Sequence, residues 1–399
     1  MDKDTAAALL AALRACGLYA PAVLAAPLPA APADAADMLL GRGVVTPYQH
    51  RKIRSGRTDE ILFGPFLILD KIGEGGMGKV YRAVQTDAAV GGPAGRVLAL
   101  KIVRQHLMAN RTVLRRFERE AAAAATLDHP NVVKLFAASD IEGRFYLAME
   151  YVDGIDLSRL TKQFGNPPHA GLPHYQESCE YVRQAALGLS HAHARGLIHR
   201  DIKPANLLVS GDRALPGTTG TAQLKILDMG LVRSFGGDDD GNTDLTRDGT
   251  VVGTPDYMSP EQAKNSSTVD PRADLYSLGC TLYYLLRGQP LFPDGSPLDK
   301  LMRHYQEGRP DIRKARPDVP AGLAEVLGKL IRIKPAERYQ TAADVAAALA
   351  PFVAGTATVP VYEPFSFTDD PTAVTPTRPP PPRPGPTPAP APSRRLRVV

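Results

Sequence analysis

Tryptophan is absent from the 399 residues, and cysteine occurs only at Cys16, Cys179 and Cys280. Three widely spaced thiols make neither a disulfide framework nor a zinc site, and they fit a reducing cytoplasm. No apolar run reaches 18 residues, so no membrane span is expected. The first 30 residues are rich in Ala and Leu, but Asp2, Asp4 and Arg14 interrupt them. The basic start and clean apolar core of a secretion signal are missing. There is no block of five or more basic residues, and 47 Lys and Arg against 42 Asp and Glu leave a net charge of only +5. That excess requires no nucleic-acid partner. What remains is 44% apolar and 22% charged, enough to build a packed core over a length that allows two or three domains.

Composition divides the chain into four zones. Residues 1–60 carry an Ala/Leu helix signal at 5–15, a Pro/Ala linker at 21–32 and a mixed segment ending in the basic stretch 51–57. Residues 61–153 read as strands with one long helix, and residues 154–353 as mostly helical. The last 40 positions hold 13 prolines. Proline lacks an N–H and fixes φ, so 354–399 is expected to be a disordered tail, with polyproline II favoured at 379–382. No internal repeat is present.

The segment 64–71 has the apolar density of a strand and runs into Gly73-Glu74-Gly75-Gly76-Met77-Gly78-Lys79-Val80. Strands at 79–85 and 97–103 follow, separated by a Gly/Pro-rich turn. Residues 111–127 contain five consecutive alanines and no breaker, which predicts a helix ended by His129-Pro130. Another strand is expected at 145–151. Long helices are expected at 175–195, stopped by Gly196, and at 273–287, stopped by Gly288. Strands first and helices afterwards argue for an α+β chain with two lobes of different class.

The glycine string lies between two strands, which argues against a Rossmann turn, where the last glycine opens a helix. Strand, loop and strand make a flap, and Gly73, Gly75 and Gly78 let backbone N–H groups approach phosphates without a Cβ in the way. Lys101 is the only charge between residues 97 and 103. A lysine in an apolar strand needs a partner. Glu118 and Glu120 are both candidates, and Glu120, beside the alanine run, is expected to face inward. Asp201, Lys203 and Asn206 lie within six residues, between apolar Leu197-Ile198 and Leu207-Leu208-Val209. Asp228-Met229-Gly230 follows another apolar run. Two acids and an amide at strand ends supply oxygen ligands for a hard divalent ion plus one base.

In this order the motifs resemble the eukaryotic-type protein kinases, and within them the bacterial Ser/Thr kinases, over residues 64–353. Segments similar to 1–60 precede the kinase domain in some planctomycete-type kinases. The resemblance implies a two-lobed fold. Its N lobe (61–153) is a small antiparallel sheet with one helix, and its C lobe (154–353) is mostly helical. It also implies transfer of the ATP γ-phosphate to protein Ser/Thr hydroxyls with Mg²⁺. By that resemblance Gly73, Gly75 and Gly78 cover the phosphates, and Lys101, paired to Glu120, holds the α- and β-phosphates. Val80 and Ala99 cover the adenine from above and Leu208 from below, with Met149 at the back and Ile72 in the same set. Glu150 and Val152 offer backbone groups to the adenine edge, and Asp156 reaches the ribose. Asp201 is the base and Lys203 contacts the γ-phosphate, a role associated with Ser/Thr specificity. Asn206 and Asp228 bind the metal. Residues 253–261 match the peptide-substrate segment, with Thr254 as companion to Asp201 and Lys203. Glu261 pairs with Arg338, and Asp274 braces the catalytic loop.

With Arg200 directly before the base, the chain resembles the family members switched by activation-loop phosphorylation, and by family position Arg116 and Arg233 complete a phosphate pocket. The loop holds Thr243, Thr246 and Thr250. Thr250 is the first candidate and Thr246 the second, phosphorylated by the kinase itself in a transient homodimer. Met229 stands where Phe is common; its flexible thioether still fills an apolar slot. Ala205 stands where kinases preferring basic substrates carry an acid, which argues against a strong preference for Arg-rich peptides. Two other classes compete: a pseudokinase scaffold, and an adaptor whose Pro/Arg tail docks an aromatic groove. The full set of ligands and base favours the enzyme.

Overall fold

The computed structural model of the chain describes residues 32–88, 92–108, 111–163, 175–210, 222–229, 254–264, 269–306 and 308–353. The helix signal at 5–15, Arg233, the loop threonines Thr243, Thr246 and Thr250, and the proline-rich tail lie outside the described residues.

Two helices come first, α1 (Pro32–Gly41) and α2 (Pro47–Arg54). Thr46 and Gln49 cap α2 reciprocally, each side chain taking the other's backbone N–H. A sheet follows, built from β1 (Leu62–Phe63), β2 (Phe66–Gly75), β3 (Gly78–Gln85) and β4 (Val97–Val103). After helix α3 (Arg111–Ala125) it is completed by β5 (Leu135–Ile141) and β6 (Arg144–Glu150). The strand order is β1-β2-β3-β4-β6-β5, antiparallel throughout. β2 runs further than the apolar pattern suggests, because its glycines join the ladder: Gly73 pairs with Val80 and Gly75 with Gly78. The glycine flap is therefore an extended hairpin. α3 ends two residues before 127, where Thr126 and Leu127 reach back only three residues to the carbonyls of Ala123 and Ala124.

The sheet buries both faces. On one, Phe117, Ala121 and Ala124 of α3 pack with Ala99, Leu147 and Met149. Elsewhere Ala36, Leu39, Val45 and Ile53 of the N-terminal segment share a core with Leu67, Leu69 and Val84. Gln49 is fully buried. Its Nε2 donates to the Ile68 carbonyl at 2.7 Å, and Thr46 Oγ1 donates to the Leu69 carbonyl, where the β2–β3 register slips between Ile68 and Asp70. Side chains of α2 and its cap thus satisfy two β2 carbonyls at the register shift.

The second lobe opens with β7 (Gly154–Asp156), α4 (Leu157–Gln163) and α5 (Tyr175–His193). β8 (Leu207–Ser210) and β9 (Gln223–Ile226) join β7 in a small sheet of order β7-β8-β9. Helices α6 (Pro260–Lys264), α7 (Arg272–Arg287), α8 (Pro297–Gln306), α9 (Ile312–Ala315), α10 (Ala321–Leu330) and α11 (Ala342–Leu349) complete it. α7 is buried on every side from Ala273 to Leu286, which is why its sequence is apolar all round. Gly288 ends it in the left-handed conformation at φ 77°. No helix among the described residues is long and apolar enough to cross a membrane.

Candidate active site

Alternation along β3 and β4 decides what faces the cleft. Val80 pairs with Lys101, and Ala99 pairs with Met149. These positions turn to one side, where Ile72, Val80, Ala99 and Met149 form one apolar cluster under the flap. Leu208 lies on β8 opposite Asp156. Val152 is half-buried in the connection between β6 and β7. Glu150 spends its carboxylate on Lys225 of β9 at 2.8 Å. Asp156 spends one oxygen on the N–H of Arg159 at 2.9 Å, capping α4.

The three flap glycines are not equivalent. A Cβ on Gly78 would sit 2.1 Å from the Ile102 carbonyl oxygen, so packing against β4 alone demands glycine there. A Cβ on Gly75 would meet nothing, and one on Gly73 would make only ordinary contact with Val80.

Lys101 is 6% exposed and its Nζ donates to Asp228 Oδ2 at 2.7 Å. Asp228, from the second lobe, is therefore one partner of this lysine, alongside the carboxylates of α3 that the sequence offers. Glu120 is half-buried at the edge of the packed face of α3, and Glu118 is exposed. Burial pushes the Asp228 carboxyl up, but the Lys101 charge and hydrogen bond, with Lys203 nearby, outweigh it and hold it below the usual carboxylate range. Asp228 has φ 52°, left-handed for a non-glycine residue. It follows β9, whose one edge is pinned by Asn131 and by α5 while the other pairs with β8. The Asn131 carbonyl accepts from Ile226 N at 2.9 Å, and Gln184 of α5 accepts from Leu224 N at 2.7 Å.

The polar loop before β8 folds on itself. Asn206 Nδ2 donates to the Asp201 carbonyl at 2.7 Å and to Asp201 Oδ2 at 3.0 Å. Lys203 Nζ lies 2.8 Å from the same Oδ2 and donates to Thr254 Oγ1 at 3.1 Å. Asp201, Lys203, Asn206 and Thr254 therefore form one connected set. Arg200 has φ 67°. Asp274, at the buried start of α7, holds it there. Its Oδ1 accepts from Arg200 N at 2.8 Å, and its Oδ2 accepts from His199 N at 2.8 Å and faces His193 Nε2 at 2.8 Å. Burial raises the Asp274 carboxyl, but the hydrogen bond and charge of His193 and the N–H of His199 prevail and leave it below its ordinary value.

Two contributors had no assigned role in the sequence. His199 is fully buried, donates from Nε2 to the Leu227 carbonyl at 2.7 Å and accepts at Nδ1 from Asp201 N at 3.2 Å. It ties the segment before Asp228 to the loop of Asp201, and the hydrogen-bond roles fix its tautomer. Gln262 donates to the Arg200 carbonyl at 2.8 Å. Only the neighbourhood of His199 in the polar loop could have signalled the first; nothing local signals the second. Further out, Arg338 grips Glu261 through Nη1–Oε1 at 2.6 Å and Nη2–Oε2 at 2.8 Å. Its remaining donors meet the carbonyls of Arg272, Arg332 and Ile333. Met229 is buried in the core of the second lobe.

Comparison with known proteins agrees with this geometry. Residues 66–348 match the family model described as the protein kinase domain. Serine/threonine-protein kinase pkn3 of Myxococcus xanthus is 37% identical over 274 residues, 68% of this chain and 47% of that kinase. Serine/threonine-protein kinase PknB of Mycobacterium leprae is 35% identical over 70% of this chain and 42% of its own length. The chain thus spans less than half the length of these relatives. The crystal structure of the Mycobacterium tuberculosis PknI kinase domain superposes with a TM-score of 0.54 at 26% identity, covering 73% of this chain and 98% of that one. An antiparallel sheet with a glycine hairpin, set over a helical lobe whose polar loop converges on an interlobe lysine–aspartate pair, is the architecture of that family, and this chain belongs to the protein kinases.

Proposed function

We propose that the chain is a serine/threonine protein kinase, moving the γ-phosphate of ATP to Ser/Thr hydroxyls of proteins. The observation that carries this reading is the connected set Asp201, Lys203, Asn206 and Thr254 beneath the Lys101–Asp228 pair. Phosphoryl transfer needs in-line placement and charge neutralisation more than covalent chemistry. Asp201 stands beside a cation and an amide that orient one oxygen, leaving the other to accept the proton of a substrate hydroxyl. Lys203, held between Asp201 and Thr254, supplies positive charge where the transferred phosphoryl passes. Lys101 is positioned by Asp228 to meet the α- and β-phosphates, with Glu120 of α3 as its second carboxylate. Gly73 and Gly75, not required by packing, leave backbone N–H groups open for phosphates, while Gly78 closes the flap onto β4. Ile72, Val80, Ala99 and Met149, with Leu208 from below, form the adenine slot. Glu150 and Val152 present the adenine-edge backbone, and Asp156 presents a carboxylate toward the ribose.

The donor set fits Mg²⁺. Asn206 spends its amide nitrogen on Asp201, so its oxygen is the atom left for a hard cation, and one Asp228 oxygen is free of Lys101. When bound, the ion neutralises triphosphate charge. Thr250, then Thr246, are the residues by which the chain activates itself.

The test is Asp201→Asn. It is expected to fold and bind Mg-ATP as wild type does, and to transfer phosphate to a generic protein substrate at least 10²-fold more slowly. Equal transfer by both proteins would refute the assignment of the base. Absence of transfer from wild type, with ATP still bound, would favour a scaffold.

A further inference from the structure

The basic stretch 51–57 takes no part in the cleft. It walls a separate cavity of about 660 Å³ on the opposite face of the same strands. The alternation that turns Val80 and Lys101 toward the cleft turns Lys79, Tyr81 and Ile102 the other way, and these form the cavity floor. α2 and the turn after it contribute Lys52, Arg57, Asp59 and Glu60; Arg104 and Arg144 close the sides. The volume is that of a small-ligand site.

The lining carries five cationic side chains against three carboxylates. Two of the carboxylates are already engaged. Glu60 binds Lys52 and lies 3.4 Å from Arg57, and Glu74 binds Lys71 and lies 3.6 Å from Arg104. Both carboxyls are held below their usual range by these cations. Lys79 and Arg144 make no ion pair among the described residues; Arg144 rests on the Phe63 ring at 4.9 Å. The surplus of two positive charges matches a phosphate group, which carries about −1.5 to −2 near neutral pH.

The cavity also touches the flap. Glu74 and Lys79 are register partners on its two arms, and Arg104 donates to the Gly75 carbonyl at 3.0 Å. An anion drawing on Lys79 and Arg104 acts on the hairpin from outside the cleft.

We propose that this cavity is a second anion site, for a phosphate-bearing group, that controls the glycine flap from behind. The control of the flap rests on the nucleotide reading of the cleft; the binding does not.

The test titrates the full chain by calorimetry at low ionic strength. One arm uses inorganic phosphate, and the other uses a phosphoserine heptapeptide flanked by alanines. The exposed pair Arg57→Gln and Arg144→Gln, made together, is expected to weaken binding at least tenfold and to leave kcat without phosphate unchanged. Equal binding by wild type and the double variant, or no binding by wild type, overturns the site. Tighter peptide than phosphate binding assigns a phosphorylated segment; phosphate without peptide binding assigns a free anion. In kinase assays the KM for ATP is expected to shift with phosphate in wild type and not in the double variant. A KM that ignores phosphate overturns the control of the flap alone. A chain that binds phosphate here yet transfers none overturns the kinase reading and leaves the anion site standing.

Discussion

Replacing Asp274 by Asn removes one charge and keeps the size. The wild-type carboxylate serves three donors at 2.8 Å: Arg200 N, His199 N and His193 Nε2. Asn has one oxygen. Placed where Oδ2 stands, it keeps His199 and His193 and turns its NH₂ onto the Arg200 N–H. That N–H loses a charge-assisted bond of about 1.5–3 kcal/mol, and the buried donor left unsatisfied costs about 1–3 kcal/mol more. The expected loss is about 2.5–6 kcal/mol, a large share of the roughly 5–15 kcal/mol that holds a domain folded. Arg200 at φ 67° is then no longer clamped from the α7 side and relaxes, carrying Asp201 with it. A displacement of about 1 Å costs about 10²-fold in rate, so kcat falls by that factor. The KM for ATP changes little, since Lys101 and Asp228 are untouched. Urea unfolding followed by far-UV circular dichroism measures the first quantity, and phosphotransfer to a generic substrate the second. The acid limb is a further check. A carboxyl held below its ordinary value stabilises the fold above about pH 3.9 and loses that contribution as pH falls toward the folded value. Wild type therefore carries a steeper acid limb than the Asn variant, by the share that Asp274 contributes. A stability loss under about 1 kcal/mol with kcat unchanged would refute the bracing role.

Arg338→Lys replaces a bidentate guanidinium that is 2% exposed with a point charge that cannot span Glu261 and three carbonyls; the expected cost is about 3–5 kcal/mol, read from thermal melts. Gly78→Ala forces a Cβ against the Ile102 carbonyl and should destabilise by about 1–3 kcal/mol, whereas Gly75→Ala meets nothing and should leave stability within about 0.5 kcal/mol while raising the KM for ATP. His304 is fully buried beside Tyr276 and Arg309, and burial pushes its imidazole down to about 3. The unfolded chain binds that proton near pH 6.5, so wild-type stability should fall from there toward pH 3 by up to about 1.4 kcal/mol per unit. His304→Gln should flatten that limb in urea titrations at stepped pH.

Where local pattern and burial coincide, the sequence is readable. Val97–Val103 is a strand over the residues its apolar run predicts, and α7 is apolar because it is enclosed. β5 escaped because Ser139 and Asp140 are exposed and its alanines break the alternation. β1 is too short to leave a pattern. The polar loop was legible as a cluster because Asp201, Lys203 and Asn206 are close in sequence. The contact of Lys101 with Asp228 was not: Asp228 lies 127 residues away, and only the meeting of two lobes joins them. The glycines were legible as a flap, but the different reason for Gly78 needs the neighbouring strand. The packing of α2 was hidden by chemistry. Gln49 reads as a surface residue, and only its relation to Thr46 as a helix-start pair marks the site where it is buried.

That buried glutamine changes what counts as the smallest unit able to fold. The family match begins at Phe66, yet cutting there would strip Leu67, Leu69 and Val84 of their cover and leave the Ile68 and Leu69 carbonyls without donors. In this chain the strand that carries the glycine hairpin is shored up from outside the family match. A relative without such helices must therefore cap the same edge with different residues, and a truncated form of this one invites aggregation through that bared apolar strip.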